Sequence, residues 1–232
     1  MRVVVSIGGS VLAPDLDADR VAAYAGVIED LVESGHEVGV VAGGGTTARE
    51  YIGTARELGA NEIELDELGI AVTRLNARLL IAALGETAAP SPAETLEDGE
   101  TALRRGEVAV MGGTAPGHTT DAVGTALAES VGADLIVYAT SVPGVFDADP
   151  KAAGEDGADA TKFGELTPTE LINVVRSIDI EAGSNAPVDL LAAKLLQRSG
   201  LRGIVLDGTD PHAVRRAIES GDHAGTEIVP ES

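Results

Sequence analysis

The sequence predicts an α/β fold, a three-layer αβα sandwich in which helices cover both faces of a mainly parallel β-sheet. Short β-branched runs alternate with segments whose apolar residues recur at helical spacing, and this alternation is typical of parallel sheets. Loops rich in glycine or small residues follow four of the predicted strands, at positions 8–10, 43–45, 112–118 and 140–144. Because ligands of such sheets bind beyond the carboxyl ends of the strands, these loops form the expected site.

The first elements show the alternation most clearly. Residues 3–7 are mostly β-branched and predict a buried strand. The apolar residues of 19–33 recur every three or four positions, which predicts a helix that Gly35 ends. A second valine-rich strand over residues 38–41 runs into the second glycine loop, and a helix over residues 46–58 follows it.

The same rhythm continues to the end of the chain. Further helices are predicted over residues 67–84, 92–105, 120–131, 168–177, 188–199 and 211–219. Further strands are predicted over residues 108–111, 135–138 and 204–206, with a last edge strand near Ile228. Residues 140–161 are rich in Gly, Asp and Pro and predict a long loop. No clear linker interrupts the pattern, so we expect a single domain over residues 1–232.

The charge balance is strongly acidic. The 38 Asp and Glu residues outnumber the 16 Lys and Arg residues and give a formal net charge of -22. Phosphate backbones attract basic patches, so this composition argues against a nucleic-acid partner. The acids are spread through apolar-periodic segments, which indicates a folded protein with an anionic surface. We expect a halophilic protein that needs a salty cytoplasm, because salt screens the repulsion between surface carboxylates.

The sequence also limits the compartment and the chemistry. There is no cysteine, so neither disulfides nor thiolate chemistry can operate. No apolar run reaches the roughly 18–20 residues that cross a bilayer. The short apolar run after Arg2 ends in glycines and indicates a first strand rather than a signal peptide. We therefore expect a cytoplasmic protein without a membrane partner.

The first two glycine loops each follow a strand and precede a helix. Glycine lets backbone N–H groups approach an anion, and the N-terminus of the following helix adds partial positive charge. Two such loops in series favour phosphate binding over ordinary turns. Arg49, in the first turn of the second helix, could reach a phosphate, with a solvated helix arginine as the alternative.

The third loop is the most specific signal. It combines glycines, a proline and hydroxyls with His118 and Asp121. Hydroxyls and backbone amides suit a nucleobase edge or a monophosphate. His118 is either a ligand contact or an ordinary hydrogen-bonding residue of the loop. Asp121 either caps the next helix or organises catalytic groups or a magnesium ion.

The fourth loop carries acids and an aromatic ring. Phe146 could lie against a purine or pack under the loop, while Asp147 and Asp149 could fix a ribose hydroxyl or shape the turn. The sequence contains neither a Walker lysine motif nor a Rossmann G-x-G-x-x-G, and its four histidines lack zinc-ligand spacing. No dedicated metal site is therefore predicted.

Taken in order, these segments resemble the amino acid kinase superfamily. The shared features are strand–Gly-Gly-Ser, the Gly-Gly-Gly loop, the Thr-Thr-Asp-Ala helix start and the late Pro-Gly-Val-Phe-x-x-Asp-Pro segment. The third loop, Met-Gly-Gly-Thr-x-Pro-Gly-His-Thr-Thr-Asp-Ala, resembles the archaeal-type uridylate (UMP) kinases in particular. The similarity covers essentially the whole chain. It implies reversible transfer of the ATP γ-phosphoryl group to UMP in pyrimidine nucleotide (CTP) biosynthesis, with Mg²⁺ accompanying ATP, by a homohexamer built as a trimer of dimers.

The resemblance also implies roles for individual residues. ATP contacts are implied for Gly9, Ser10, Gly45, Arg49, Thr140, Phe146 and Asp149. UMP contacts are implied for Gly44, Asp66, Thr114, Ala115, Pro116, Gly117, His118, Thr119 and Thr120. The N-terminal part of the domain is accordingly mainly UMP-binding and the C-terminal part mainly ATP-binding. Arg49 and Asp121 are the candidate catalytic residues.

One position departs from the superfamily pattern. Many members have a lysine just before the first glycine loop, where it stabilises the transferring phosphoryl group, but this chain has Ser6. The positive groups that remain are Mg²⁺, Arg49 and the backbone amides of the glycine loops, with Lys162 and Lys194 as further candidates. Phosphoryl transfer depends mainly on positioning and electrostatics, so direct transfer needs no covalent intermediate.

Two alternatives remain open at this point. The same fold could phosphorylate a carboxylate, a carbamate or isopentenyl phosphate, although the hydrogen-bonding groups of the 114–120 loop favour a nucleobase. The chain could instead be a nucleotide-binding sensor or storage protein without turnover, and Ser6 is the feature that favours this reading. Binding of ATP and UMP without formation of ADP would distinguish it.

Overall fold

The computed structural model describes residues 1–148, 160–178 and 188–231. Within these ranges the strands are β1 (Arg2–Ile7), β2 (Glu37–Ala42), β3 (Ala109–Met111), β4 (Leu135–Thr140), β5 (Glu165–Leu166), β6 (Gly203–Asp207) and β7 (Thr226–Ile228). They form one sheet in the order β3-β2-β1-β4-β6-β7-β5. Only the β6–β7 pair is antiparallel among these pairings, which confirms the mainly parallel sheet.

Helices cover both faces of the sheet. They are α1 (Gly9–Leu12), α2 (Ala18–Glu33), α3 (Gly45–Glu57), α4 (Glu62–Leu84), α5 (Leu96–Arg104), α6 (Thr120–Ser130), α7 (Pro168–Ile178), α8 (Leu190–Ser199) and α9 (Pro211–Ser220). Helices α2, α4 and α9 share one buried core with the sheet, while α5, α6, α7 and α8 share the other. The predicted three-layer sandwich is therefore confirmed, with α3 packed against α4.

Two predicted helix starts are wrong, and capping explains both. α4 begins at Glu62 rather than at residue 67, because Asn61 and Glu64 form a reciprocal capping box. α5 begins at Leu96 rather than at residue 92, where Thr95 caps the first turn. The residues before it are extended instead, since the Ala93 amide donates to the Val110 carbonyl at 2.8 Å.

The predicted edge strand near Ile228 is also placed differently. β7 lies between β6 and the short β5, so β5 occupies the sheet edge. Two residues, Glu165 and Leu166, are too few to give a periodic signal in the sequence. The C-terminal segment is therefore part of the interior of the sheet.

The alternation along β1 places Ser6 at the site. Val3, Val5 and Ile7 face the core on the α2 side, whereas Val4 faces the other core. Because successive strand residues point to opposite faces, Ser6 points with Val4 towards α6. The order of strands reverses across β1, with β2 and β3 on one side and β4 and β6 on the other, and ligands of α/β sheets bind at such a reversal.

The segment Glu62–Thr87, which contains α4, is long and apolar enough to cross a membrane by length and composition alone. The mean hydropathy of its most apolar window is 1.4, and 33% of that window is buried. Buried polar side chains of the same helix, Thr73 and Asn76, face the glycine loops. These contacts are those of a helix packed within a folded protein.

Candidate active site

The first two glycine loops are in direct backbone contact. A Cβ atom added to Gly9 would lie 2.2 Å from the Gly45 nitrogen and 2.5 Å from the Gly43 oxygen. Gly45 also has a φ of +65°, a left-handed conformation that favours glycine. Glycine is thus required here for the approach of one loop to the other, in addition to any approach of a phosphate.

Arg49 connects the same two loops through its guanidinium group. Its Nη2 donates to the Ser10 hydroxyl and to the Thr46 hydroxyl, each at 3.1 Å. Both contacts are exposed to solvent, so the positive charge remains available to an anion placed over the loops. The structure therefore brings Gly9, Ser10, Gly45 and Arg49 together, as their expected role in phosphate binding requires.

Helix α4 holds the second loop through a buried side chain. The Asn76 side chain, which is 3% exposed, donates to the Gly43 carbonyl at 2.7 Å and to the Gly44 carbonyl at 3.4 Å. A buried carbonyl needs such a partner, because leaving it unpaired costs about 1–3 kcal/mol. Asn76 thereby fixes the backbone from which the second loop presents its amides.

The third loop is fastened to the same helix. The Gly113 amide donates to the Thr73 hydroxyl at 2.7 Å, and Arg74 donates to the Gly113 carbonyl at 3.2 Å. Two turns earlier on α4, the Asp66 carboxylate accepts from the Gly117 amide at 2.7 Å. Asp66 and the 114–120 loop therefore form one continuous surface, which is consistent with their expected contact with a single ligand.

Ser6 and Asp121 meet beneath this surface. The Ser6 hydroxyl, which is 1% exposed, donates to the Asp121 carboxylate at 2.9 Å. Burial raises the pKa of Asp121 to about 7; the hydrogen bond from Ser6 opposes the shift, and the negative charge of Asp189 adds to it. Ser6 therefore supplies no positive charge. It donates a hydrogen bond to a carboxyl group whose pKa lies near neutral pH.

The N-termini of α6 and α8 are joined at the same place. The Thr119 hydroxyl accepts from the Ala122 amide and caps α6, and it donates to the Asp189 carboxylate. Asp189 in turn caps α8 by accepting from the amides of Leu191 and Ala192. Two helix N-termini therefore point towards the region of Asp121, where they favour negative charge.

The fourth loop is tied to the first. The Gly8 amide donates to the Ala139 carbonyl at 3.0 Å, and Thr140 follows directly at the end of β4. Beyond it Phe146 is half-buried and forms an antiparallel bridge with Lys162. Thr140 and Phe146 thus belong to the end of β4 and the loop that follows it, while Asp149 lies outside the described residues.

The remaining residues with predicted ligand contacts differ in their exposure. Thr114, Ala115, Pro116 and Thr120 are half-buried, whereas Gly117, His118 and Thr119 are exposed. The His118 amide donates to the Ala115 carbonyl at 3.2 Å, which closes the turn, while its side chain lies in solvent. Lys162 donates to the Ala224 carbonyl rather than to the glycine loops. The ligand contacts of all these residues stay predictions.

The sequence reasoning missed the residues that hold the loops. Thr73 and Asn76 are three positions apart on α4 and therefore share one face, which is a recognisable signal because both interrupt an apolar helix. Asp189 has only the weaker signal of an acid before an apolar helical run.

The fold and the four loops at the ends of its strands define a class of protein. The model of the amino acid kinase family matches residues 1–207, and the chain belongs to this family.

Individual relatives are similar over the whole chain. A uridylate kinase of Haloarcula marismortui is 65% identical over 232 residues, covering 100% of both chains. A uridylate kinase of Halobacterium salinarum is 63% identical over 231 residues, covering 100% of this chain and 94% of its own. The crystal structure of the uridylate kinase from Archaeoglobus fulgidus matches with a TM-score of 0.87 and 43% identity, covering 99% of this chain and 100% of that one.

Proposed function

We propose that the chain is a uridylate kinase that transfers the γ-phosphoryl group of ATP to UMP and releases ADP and UDP. The observation that carries this proposal is the 65% identity to a uridylate kinase over the full length of both chains. The site geometry supports it, because two glycine loops in contact lie between a loop fastened to α4 and a loop that follows β4.

Each substrate has its own side of the site in this proposal. UMP lies on the side of α4, where Gly44, Asp66 and the 114–120 loop contact its phosphate, ribose and uracil. ATP lies over Gly9, Ser10, Gly45 and Arg49, with its adenosine towards Thr140 and Phe146. The γ-phosphoryl group then lies at the contact between the first two loops.

The transfer is a direct displacement at phosphorus. A phosphate oxygen of UMP forms the new bond to the γ-phosphorus, while the bond from that phosphorus to the β–γ bridging oxygen breaks and its electron pair leaves with ADP. The protein contributes position and charge. Arg49, the backbone amides of the glycine loops and the N-termini of α3 and α6 are the groups that favour the transferring anion.

Two carboxylates at this point would suit a magnesium ion that accompanies ATP. Asp121 would supply one carboxylate from the first turn of α6, and Asp189 accepts from Thr119, which caps the same helix. Across the described residues no group of three or more His, Cys, Asp or Glu gathers to hold a metal. Mg²⁺ commonly uses one or two carboxylates plus substrate phosphates, so Asp121 and Asp189 would hold it. Bound with ATP, it neutralises phosphate charge.

We also propose that the chain assembles into a homohexamer, a trimer of dimers. Large apolar side chains on α3, at its C-cap and on α4 are exposed in the single chain, namely Tyr51 (57%), Leu58 (84%), Ile63 (57%), Leu75 (59%) and Leu79 (42%). Exposed large apolar side chains on two adjacent helices support burial of this face between copies of the chain. A monomer in light scattering at molar salt would contradict the assembly.

A panel of acceptors tests the function directly. In molar KCl with Mg-ATP, release of ADP is compared between UMP, CMP, AMP, acetylglutamate and isopentenyl phosphate. We expect strong turnover with UMP, as in a cytoplasmic enzyme that supplies UDP for CTP synthesis. Turnover with another acceptor would replace the proposed substrate, and folded protein that binds both nucleotides without releasing ADP would favour a sensor.

A further inference from the structure

Thr226 is a buried polar residue in a part of the chain that the family match does not reach. The family model ends at residue 207, whereas Thr226 begins β7 and is 0% exposed. A hydroxyl without access to water must find its partners within the protein. The partners of Thr226 therefore indicate what this residue is for.

The Thr226 hydroxyl closes a ring of three hydrogen bonds. It accepts from the Val145 amide at 2.9 Å and donates to the Phe163 carbonyl at 2.6 Å. The Phe163 amide donates to the Val145 carbonyl at 2.9 Å, so Val145 and Phe163 are also joined directly. One side chain thus fixes both strands of a hairpin base, which we call the nucleotide hairpin (residues 144–147 and 161–163).

Packing around this ring leaves little freedom. A Cβ atom added to Gly144 would lie 2.6 Å from the Thr226 hydroxyl oxygen, and Gly144 has a φ of +138°. On the other side of the hairpin base, Lys162 donates to the carbonyl of Ala224, two residues before Thr226. Residues 144–147 and 161–163 therefore both contact the segment from Ala224 to Thr226 at the start of β7.

We propose that Thr226 is a positioning residue for ATP, because it orients the nucleotide hairpin and with it Phe146. The inference rests on the proposed function, in which Phe146 and Thr140 contact the adenosine of ATP. Phe146 lies between Val145 and Asp147, and the Asp147 amide donates to the Thr161 carbonyl at 3.1 Å. Phe146 is therefore held on both sides by pairing whose base is fixed by Thr226.

Thr73 has the equivalent geometry on the UMP side and provides a matched control. It is also buried, at 8% exposure, and its hydroxyl accepts from the Gly113 amide at 2.7 Å and donates to the Ile70 carbonyl at 2.6 Å. Both threonines accept from a loop amide and donate to a carbonyl. Replacement by the isosteric valine removes the same two hydrogen bonds in each case.

The test compares steady-state constants for both substrates in wild type, Thr226→Val, Thr226→Ser and Thr73→Val. Loss of a hydrogen bond worth about 1.4 kcal/mol corresponds to a tenfold change, so Thr226→Val should raise KM for ATP about tenfold. We expect KM for UMP and kcat to change less than about twofold in that variant. Thr226→Ser keeps the hydroxyl and should restore KM for ATP, while Thr73→Val should raise KM for UMP alone.

The failures are distinguishable. A wild-type protein that does not phosphorylate UMP would overturn the proposed function. An active wild type whose Thr226→Val variant keeps its KM for ATP, or whose Thr226→Ser variant does not restore it, would overturn the positioning role. Hydrogen exchange of the unmodified protein covers the case in which the valine variant does not fold: saturating ATP should slow exchange of the Val145 amide more than UMP does, and equal effects would contradict the proposal.

Discussion

The two substrate sides that we propose for the site are held by different parts of the molecule. The UMP side is fastened to α4 by several side chains, with Thr73 and Asp66 lying 40 and 51 positions before the amides that they accept from. The nucleotide hairpin is fastened to β7 by Thr226, which lies 81 positions after the amide that it accepts from. The glycine-rich motifs therefore mark the loops that we propose bind ligands, while distant polar side chains hold these loops in place.

Removal of salt should give the largest effect and should act on both sides alike. Repulsion within a chain of net charge -22 grows as the Debye length rises from about 3 Å at 1 M salt to about 30 Å at 0.01 M. We expect one cooperative loss of structure by circular dichroism on dialysis from molar KCl into dilute buffer, since a single domain is predicted. Unchanged spectra would contradict the halophilic character, and two separate transitions would contradict the single domain.

The next largest effect is expected where the two sides meet. Gly9→Ala places a Cβ 2.2 Å from the Gly45 nitrogen, and forced overpacking against backbone should cost about 3 kcal/mol or more. Thermal unfolding and turnover should both be impaired. Gly26→Ala in α2 is the control, since nothing lies within 4 Å of its added Cβ, and it should stabilise the helix by about 1 kcal/mol. Equal behaviour of the two variants would contradict the loop contact.

Asp121 should separate catalysis from stability. Asp121→Asn removes the carboxylate at the transfer point, so we expect kcat to fall roughly 100-fold. Burial raises the folded pKa to about 7, above the unfolded value, so the wild-type carboxyl destabilises the fold when it must ionise. This destabilisation is absent below the unfolded pKa and grows as pH rises to about 7. The asparagine variant should therefore melt above wild type at pH 8 and lose this advantage near pH 4.

One outcome would contradict the predicted effect of Asp121→Asn on stability. If Asp121→Asn melts below wild type at pH 8, the ionised carboxylate is stabilised by its surroundings, and the proposed cause of its shifted pKa is wrong. Urea unfolding at both pH values would measure the difference.

The smallest effects should each change the KM for one substrate only. Asp66→Asn weakens the contact expected with the UMP ribose and should raise KM for UMP about tenfold. Phe146→Leu removes a ring expected to lie against adenine and should raise KM for ATP roughly fivefold. Each variant should leave the other KM within about twofold. A change of both constants in either variant would show that the two sides are not separate.

The sequence predicts the layers of the fold well because periodic apolar residues report burial directly. It predicts helix starts poorly at α4 and α5, where short-range capping by Asn61 and Thr95 decides the boundary. It places the four loops at the strand ends because parallel strands carry their carboxyl ends to one edge. The residues that hold these loops escape prediction, since nothing local marks Thr226 as the partner of Val145.

Transfer of radioactive phosphate from γ-labelled ATP in a single turnover tests the central claim most directly. With excess enzyme, UMP and Mg²⁺ in molar KCl, the account predicts that label moves to UDP and that none is retained by the acid-precipitated protein. Label on the protein would contradict direct displacement, and label that remains in ATP or appears only as inorganic phosphate would contradict a uridylate kinase.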